Sequence, residues 1–128
     1  MIIPFSWSVD RIGCPSQGYF YFHDDEGKSW VLYLRWRSNP WTAELMPVIS
    51  TESDEWEWDR MEVVPLSQIY EEEEDCIKVM GDSYEWLKRR FPEVKFPEKP
   101  HIEMYPTKLF TAEDIEELEK ELQEMLKD

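Results

Sequence analysis

Tyr19-Phe20-Tyr21-Phe22-His23-Asp24-Asp25-Glu26-Gly27-Lys28-Ser29-Trp30-Val31-Leu32-Tyr33-Leu34-Arg35-Trp36-Arg37 reads as two β-strands joined by a tight turn. Tyr19 to His23 and Trp30 to Arg37 are rich in aromatic and branched residues, which suit a pleated, half-buried surface. Between them lies Asp24-Asp25-Glu26-Gly27-Lys28. A three-residue loop, Asp25-Glu26-Gly27, with Gly27 in the left-handed conformation, pairs Asp24 with Lys28, Phe22 with Trp30 and Phe20 with Leu32. That register gathers the large apolar residues on one face, continuing to Leu34 and Trp36. A two-residue loop would mix the faces, so the pattern itself selects the register. The opposite face then carries Tyr19, Tyr21, His23, Val31, Tyr33, Arg35 and Arg37.

Outward from this hairpin the first half continues as strand. Ile3, Phe5, Trp7 and Val9 alternate with small or polar residues, and Trp41, Ala43, Leu45, Pro47 and Ile49 do the same after a Ser38-Asn39-Pro40 turn. Pro47 places that strand at an edge, because proline has no N–H to give to a ladder. Trp56 and Trp58 alternate with Glu55, Glu57 and Asp59, which gives one aromatic and one acidic face. Val63-Val64 ends the alternation.

The second half is helical. Ile77, Met80, Tyr84, Leu87 and Phe91 fit one helical stripe, but Gly81-Asp82-Ser83 reads as a stop and a fresh N-cap, so a break is expected there. Pro92, Pro97, Pro100 and Pro106 mark an extended connector packed on the domain. A last helix starts from Thr111 as N-cap, with Phe110 and Ile115 at staple positions, and runs through Leu118, Leu122, Met125 and Leu126. The expected fold is α+β: a single domain over 1–128, mainly β over 1–66 and mainly helical over 67–128, with the Pro-rich connector at 92–106. A small antiparallel sheet of four or five strands would pack against two or three C-terminal helices.

The formal charge of −15 on 128 residues is the largest departure from average composition. Residues 51–80 carry a net −9 and residues 111–128 a net −6, while 1–50 and 81–110 stay within one unit of neutral. Seven Trp, six Tyr and six Phe argue for a packed core and against a disordered acidic tail. Phosphate neutralisation supplies most non-specific nucleic-acid affinity, so direct nucleic-acid binding is not expected, nor is an anionic membrane surface. The sequence has neither a basic leader nor a run of 18 apolar residues, so a cytoplasmic protein without a membrane span is expected.

Motifs for chemistry are weak. Cys76 follows five acids, which disfavour a thiolate, and Cys14 lacks a neighbouring His or helix N-terminus. His23 with Asp24, Asp25 and Glu26 is the best metal-like cluster, yet those acids serve equally as turn formers. Four Gly, none in a phosphate-cradling pattern, leave no nucleotide loop. No cofactor, metal or catalytic residue is assigned, and an enzyme is the less favoured class. Segregated charge is what a docking surface for a basic protein requires, because a one-signed field steers association. The expected surface comprises Glu52, Asp54, Glu55, Glu57 and Asp59; Glu71, Glu72, Glu73, Glu74 and Asp75; and Glu113, Glu117 and Glu121. Its sharpest form is a DNA-mimicking or inhibitory regulator, of a phage or mobile-element kind, whose partner is itself a nucleic-acid-binding protein. One alternative is a small-molecule or base-binding domain using Tyr19, Tyr21, Tyr33, Arg35 and Arg37, where aromatics interleave with Arg. The other is an enzyme with a carboxylate site. Against all three stands a merely solvated acidic surface.

Overall fold

A computed structural model describes residues 5–11, 16–36, 40–50, 55–104 and 112–126. At its centre the hairpin of β2 (Ser16–His23) and β3 (Ser29–Trp36) has the register that the apolar pattern demands. Phe22 pairs with Trp30 and Phe20 with Leu32. The Asp24 N–H donates to the Lys28 carbonyl at 2.9 Å, and Gly27 has φ +82°. Asp24 holds the turn together. Its Oδ1 accepts from the Glu26 and Lys28 N–H groups, and its Oδ2 accepts from Trp30 Nε1, each at 2.9 Å. Burial works against the charged carboxylate, but these three bonds outweigh it and hold the pKa below its ordinary value.

Around the hairpin lie β1 (Ser6–Arg11) beside β2 and β4 (Thr42–Ser50) beside β3, both antiparallel. The outer side of β4 is met by two short strands, β5 (Glu55–Trp56) and β6 (Glu62–Val63). Pro47 falls in the gap between them, its carbonyl accepting from the Glu57 N–H. The edge position expected for Pro47 is thus half right, since β4 is the last long strand. Trp56 and Trp58 do not share a long strand. Pairing stops at Trp56, and a 3₁₀ turn spans Trp58–Arg60. The pattern break at Val63-Val64 marks the end of β6: Val63 faces solvent while Val64 turns into the core.

One sheet face carries the main core. Trp7, Phe20, Phe22, Leu32, Leu34 and Leu45 meet Ile77, Met80, Tyr84 and Leu87 of α1 (Cys76–Arg90). The break expected at Gly81-Asp82-Ser83 is absent, and α1 runs through as one helix. Tertiary partners decide the matter. Ser83 Oγ donates back to the Val79 carbonyl at 2.6 Å instead of capping a new helix. Asp82 reaches outward, and its Oδ2 accepts from Ser67 N, Ser67 Oγ and the Tyr70 hydroxyl at 2.7 to 3.0 Å. Gly81 is buried within the helix.

Beyond α1 the connector packs Val94 and Phe96 on the core, and the Tyr84 hydroxyl donates to the Pro97 carbonyl. It then adds β7 (His101–Met104) to the free side of β1, parallel to it. The resulting order is β5-β4-β3-β2-β1-β7, with β6 also on β4. The second helix, α2 (Ala112–Met125), lies beside α1. Its closing turn buries Leu126, whereas Met125 is exposed. Thr111 and Phe110, read as its cap and staple, lie outside the described residues.

Candidate functional site

The acidic residues fall into three groups with different surroundings. Glu55, Glu57 and Asp59 belong to the segment whose Trp56 lies on the sheet face away from the helices. Residues 71–75 lie on the helix side. Trp36 Nε1 and Trp41 Nε1, from residues of the main core and its margin, donate to the carbonyls of Glu71 and Glu72 at 2.9 Å. Part of this run shapes the start of α1. Glu73 is only 7% exposed, and Glu72 and Asp75 form a reciprocal capping box around a 3₁₀ turn. Asp75 also pairs with Lys78 at 3.7 Å. Glu71 and Glu74 are turned to water, and Glu72 is exposed although its carboxylate serves the cap.

The third group is α2. Glu113, Glu116, Glu117, Glu121 and Glu124 are all exposed, with Lys120 the one exposed base among the described residues of this helix. A four-residue step advances about 6 Å along a helix, so Glu113, Glu117 and Glu121 form a row of evenly spaced carboxylates. The 55–59 acids lie in the segment that runs along the outer margin of β4. Glu52 and Asp54 lie outside the described residues.

The Tyr/Arg face is not an open platform. The Trp56 ring lies 5.6 Å from that of Tyr19, 6.3 Å from Tyr21 and 5.2 Å from Tyr33, and its Nε1 donates to the Tyr21 hydroxyl. Trp58 continues this roof, 5.3 Å from Trp56 and 5.8 Å from Tyr33. Together with Val31, Met46 and Val48 these rings make a second, smaller core. Its cover comes from the chain's own 55–60 segment, not from the helices. Trp58 itself stays 54% exposed. Beside it, Glu44 stands opposite Tyr33 across the β3–β4 ladder, and its Oε2 is buried with no hydrogen-bond partner. Burial raises the Glu44 pKa above the usual carboxylate value, against the opposing effects of Thr42 and Arg35. Burial raises the Tyr33 hydroxyl as well, against Arg35 and with help from Glu44. Arg37 lies outside the described residues.

A feature the sequence pattern does not disclose sits at the outer side of β4. There the 40–43 segment and the 63–69 segment enclose an open groove of about 300 Å³. Trp41, Ala43 and Val64 form a buried floor, while Val63 and Ile69 stand 66% and 76% exposed on its walls. No charged side chain lines it. Its geometry is fixed from behind, because Trp41 N donates to the Tyr70 carbonyl and Asp82 grips both Ser67 and Tyr70.

Cys76 is a free, fully enclosed thiol. Burial, reinforced by the Glu73 charge, pushes its pKa up to about 12, which suits packing and not nucleophilic attack. His23 Nδ1 lies 3.0 Å from Ser29 Oγ, and its neighbour Asp24 is committed to the turn. Among the described residues no three His, Cys, Asp or Glu side chains converge as metal ligands, and no helix is long and apolar enough to cross a membrane. Cys14 lies outside those residues. Neither a family model, nor a curated protein, nor a solved structure matches this chain.

Proposed function

We propose that this chain is a small acidic protein-binding protein that docks on a basic partner, with the helix side as its working surface. The observation that carries this reading is the exposed row of carboxylates along α2, accompanied on the helix side by Glu71, Glu72 and Glu74. Solvated acids contribute little to stability, so such a row is not needed to hold the fold together. A field of one sign accelerates encounter with a basic surface and disfavours acidic competitors. In its sharpest form the protein is a DNA-mimicking or inhibitory regulator, occupying a groove that its partner otherwise offers to nucleic acid. The 55–59 acids, at the outer margin of β4, fall outside this surface.

The test is capture of proteins from a cell lysate on the immobilised chain, eluted by a salt gradient and challenged with duplex DNA. The native chain should retain basic proteins that leave as salt rises, since exposed charges are screened beyond roughly 8–10 Å at physiological ionic strength. A Glu113/Glu117/Glu121→Gln variant should retain them less. Retention that ignores both salt and this variant would refute the proposal.

A further inference from the structure

We infer that the groove at the outer side of β4 receives an apolar side chain, or a pair of them, from a partner segment that also carries Lys or Arg. This rests on the docking reading above and adds to it the chemistry of the segment that is bound. Three observations support it. The groove is apolar and exposed at once: Val63 and Ile69 stand in water above the floor made by Trp41, Ala43 and Val64. A contiguous patch of large exposed apolar residues is uncommon on a surface without a partner. Its volume of about 300 Å³ is also roughly twice that of a cavity that takes a benzene ring, so it suits one or two side chains and no more.

The groove's end is acidic. The chain leaves Ile69, buries Tyr70 and emerges as Glu71 and Glu72, whose side chains are exposed. The Glu72 carbonyl accepts from Trp41 Nε1, so Glu72 stands beside the groove's own floor residue, with Glu71 next to it in the chain. At the β6 end, Glu62 is already paired with Arg90. The groove thus has one exposed acidic end, and a segment with its anchor in the groove and its bases toward Glu71 and Glu72 would satisfy both.

The same charge argues against a second copy of this chain as the occupant. Two molecules of net charge −15 repel. A basic partner meets no such barrier.

The experiment uses synthetic peptides as probes against the full chain, with fluorescence anisotropy for affinity and methyl NMR for position. One peptide carries a Leu-Phe pair flanked by Lys and Arg. A second replaces Leu-Phe by Ser-Ser, and a third replaces the bases by Gln. The first should bind about tenfold or more tighter than the second, and should shift the Val63 and Ile69 methyl signals. A Val63→Ser/Ile69→Ser variant, altered only at exposed positions, should lose that preference while binding the Ser-Ser peptide as before. A Glu71→Gln/Glu72→Gln variant should weaken both basic peptides. Equal binding of the first two peptides, or a preference that survives the Val63/Ile69 variant, would overturn the groove and leave the acidic surface standing. Equal binding of the first and third would overturn the basic half of the proposal. Should no peptide bind even at low salt, both this inference and the docking reading fall.

Discussion

Replacing Gly27 by Val isolates one backbone conformation from every contact around it. Gly27 sits at φ +82° in the β2–β3 turn, and a Cβ placed there would have no atom within 4 Å. Any cost is therefore conformational and not steric. An L-residue in the left-handed region loses roughly 1–2 kcal/mol, with a branched side chain toward the upper end. Restricting the unfolded chain returns some of this, about 0.4–1 kcal/mol in favourable cases. The net expectation is a loss of about 1 kcal/mol, or a fall of about 3–5 °C in melting temperature for a chain of this length. If the turn relaxes to relieve the strain, the Gly27 N–H bond to the Asp24 carbonyl is also lost and the deficit grows. Gly27→Asn supplies the control, because Asn tolerates the left-handed region and should cost distinctly less. Urea unfolding followed by tryptophan fluorescence measures both. Val and Asn variants of equal stability, or a Val variant as stable as the native chain, would refute a positive-φ turn at Gly27.

Two further outcomes follow from the polar groups. Asp82→Ala removes the acceptor shared by Ser67 and Tyr70, and should lower stability by about 1–2 kcal/mol and loosen the 67–70 segment, read as faster amide exchange there; unchanged exchange would mean that something else fixes the groove. Glu44 has a folded-state pKa above its ordinary value, so its contribution is favourable at low pH and is lost as pH rises through that folded value. Glu44→Gln should then be more stable than the native chain at neutral pH, the gap closing as pH falls below the usual Glu range; a gap constant across pH would contradict a buried carboxylate.

How much of this was legible in the sequence depends on whether the deciding partners were local. The hairpin was readable to the residue because period-2 alternation and a three-residue loop constrain each other. The α1 stripe from Ile77 to Phe91 was equally readable, yet Gly81-Asp82-Ser83 suggested a break. The capping signal is local, whereas Asp82 is engaged by Ser67 and Tyr70 across the fold. Four residues at the end of a Pro-punctuated connector, His101–Met104, give no periodicity from which pairing with β1 could be read. The aromatic face was visible as Tyr19, Tyr21 and Tyr33, but its roof comes from Trp56 and Trp58, distant in sequence from the hairpin. The groove has no signature at all. It exists only because strand pairing brings Ala43 next to Val64.

The interrupted pairing outside β4 has a consequence for how the molecule behaves in a crowd of its own kind. A sheet this rich in Trp, Tyr and Phe is a hazard in any chain that leaves a long edge unpaired, because bare N–H and C=O groups template fibre growth. Here that edge is divided into two-residue pieces, with Pro47 withholding a donor between them. Glu55, Glu57, Asp59 and Glu62 then line the same margin. A strand from a neighbouring molecule would find neither a continuous ladder to join nor a neutral surface to lie against. With the 55–59 carboxylates along this margin, like charge on two molecules would oppose their joining edge to edge.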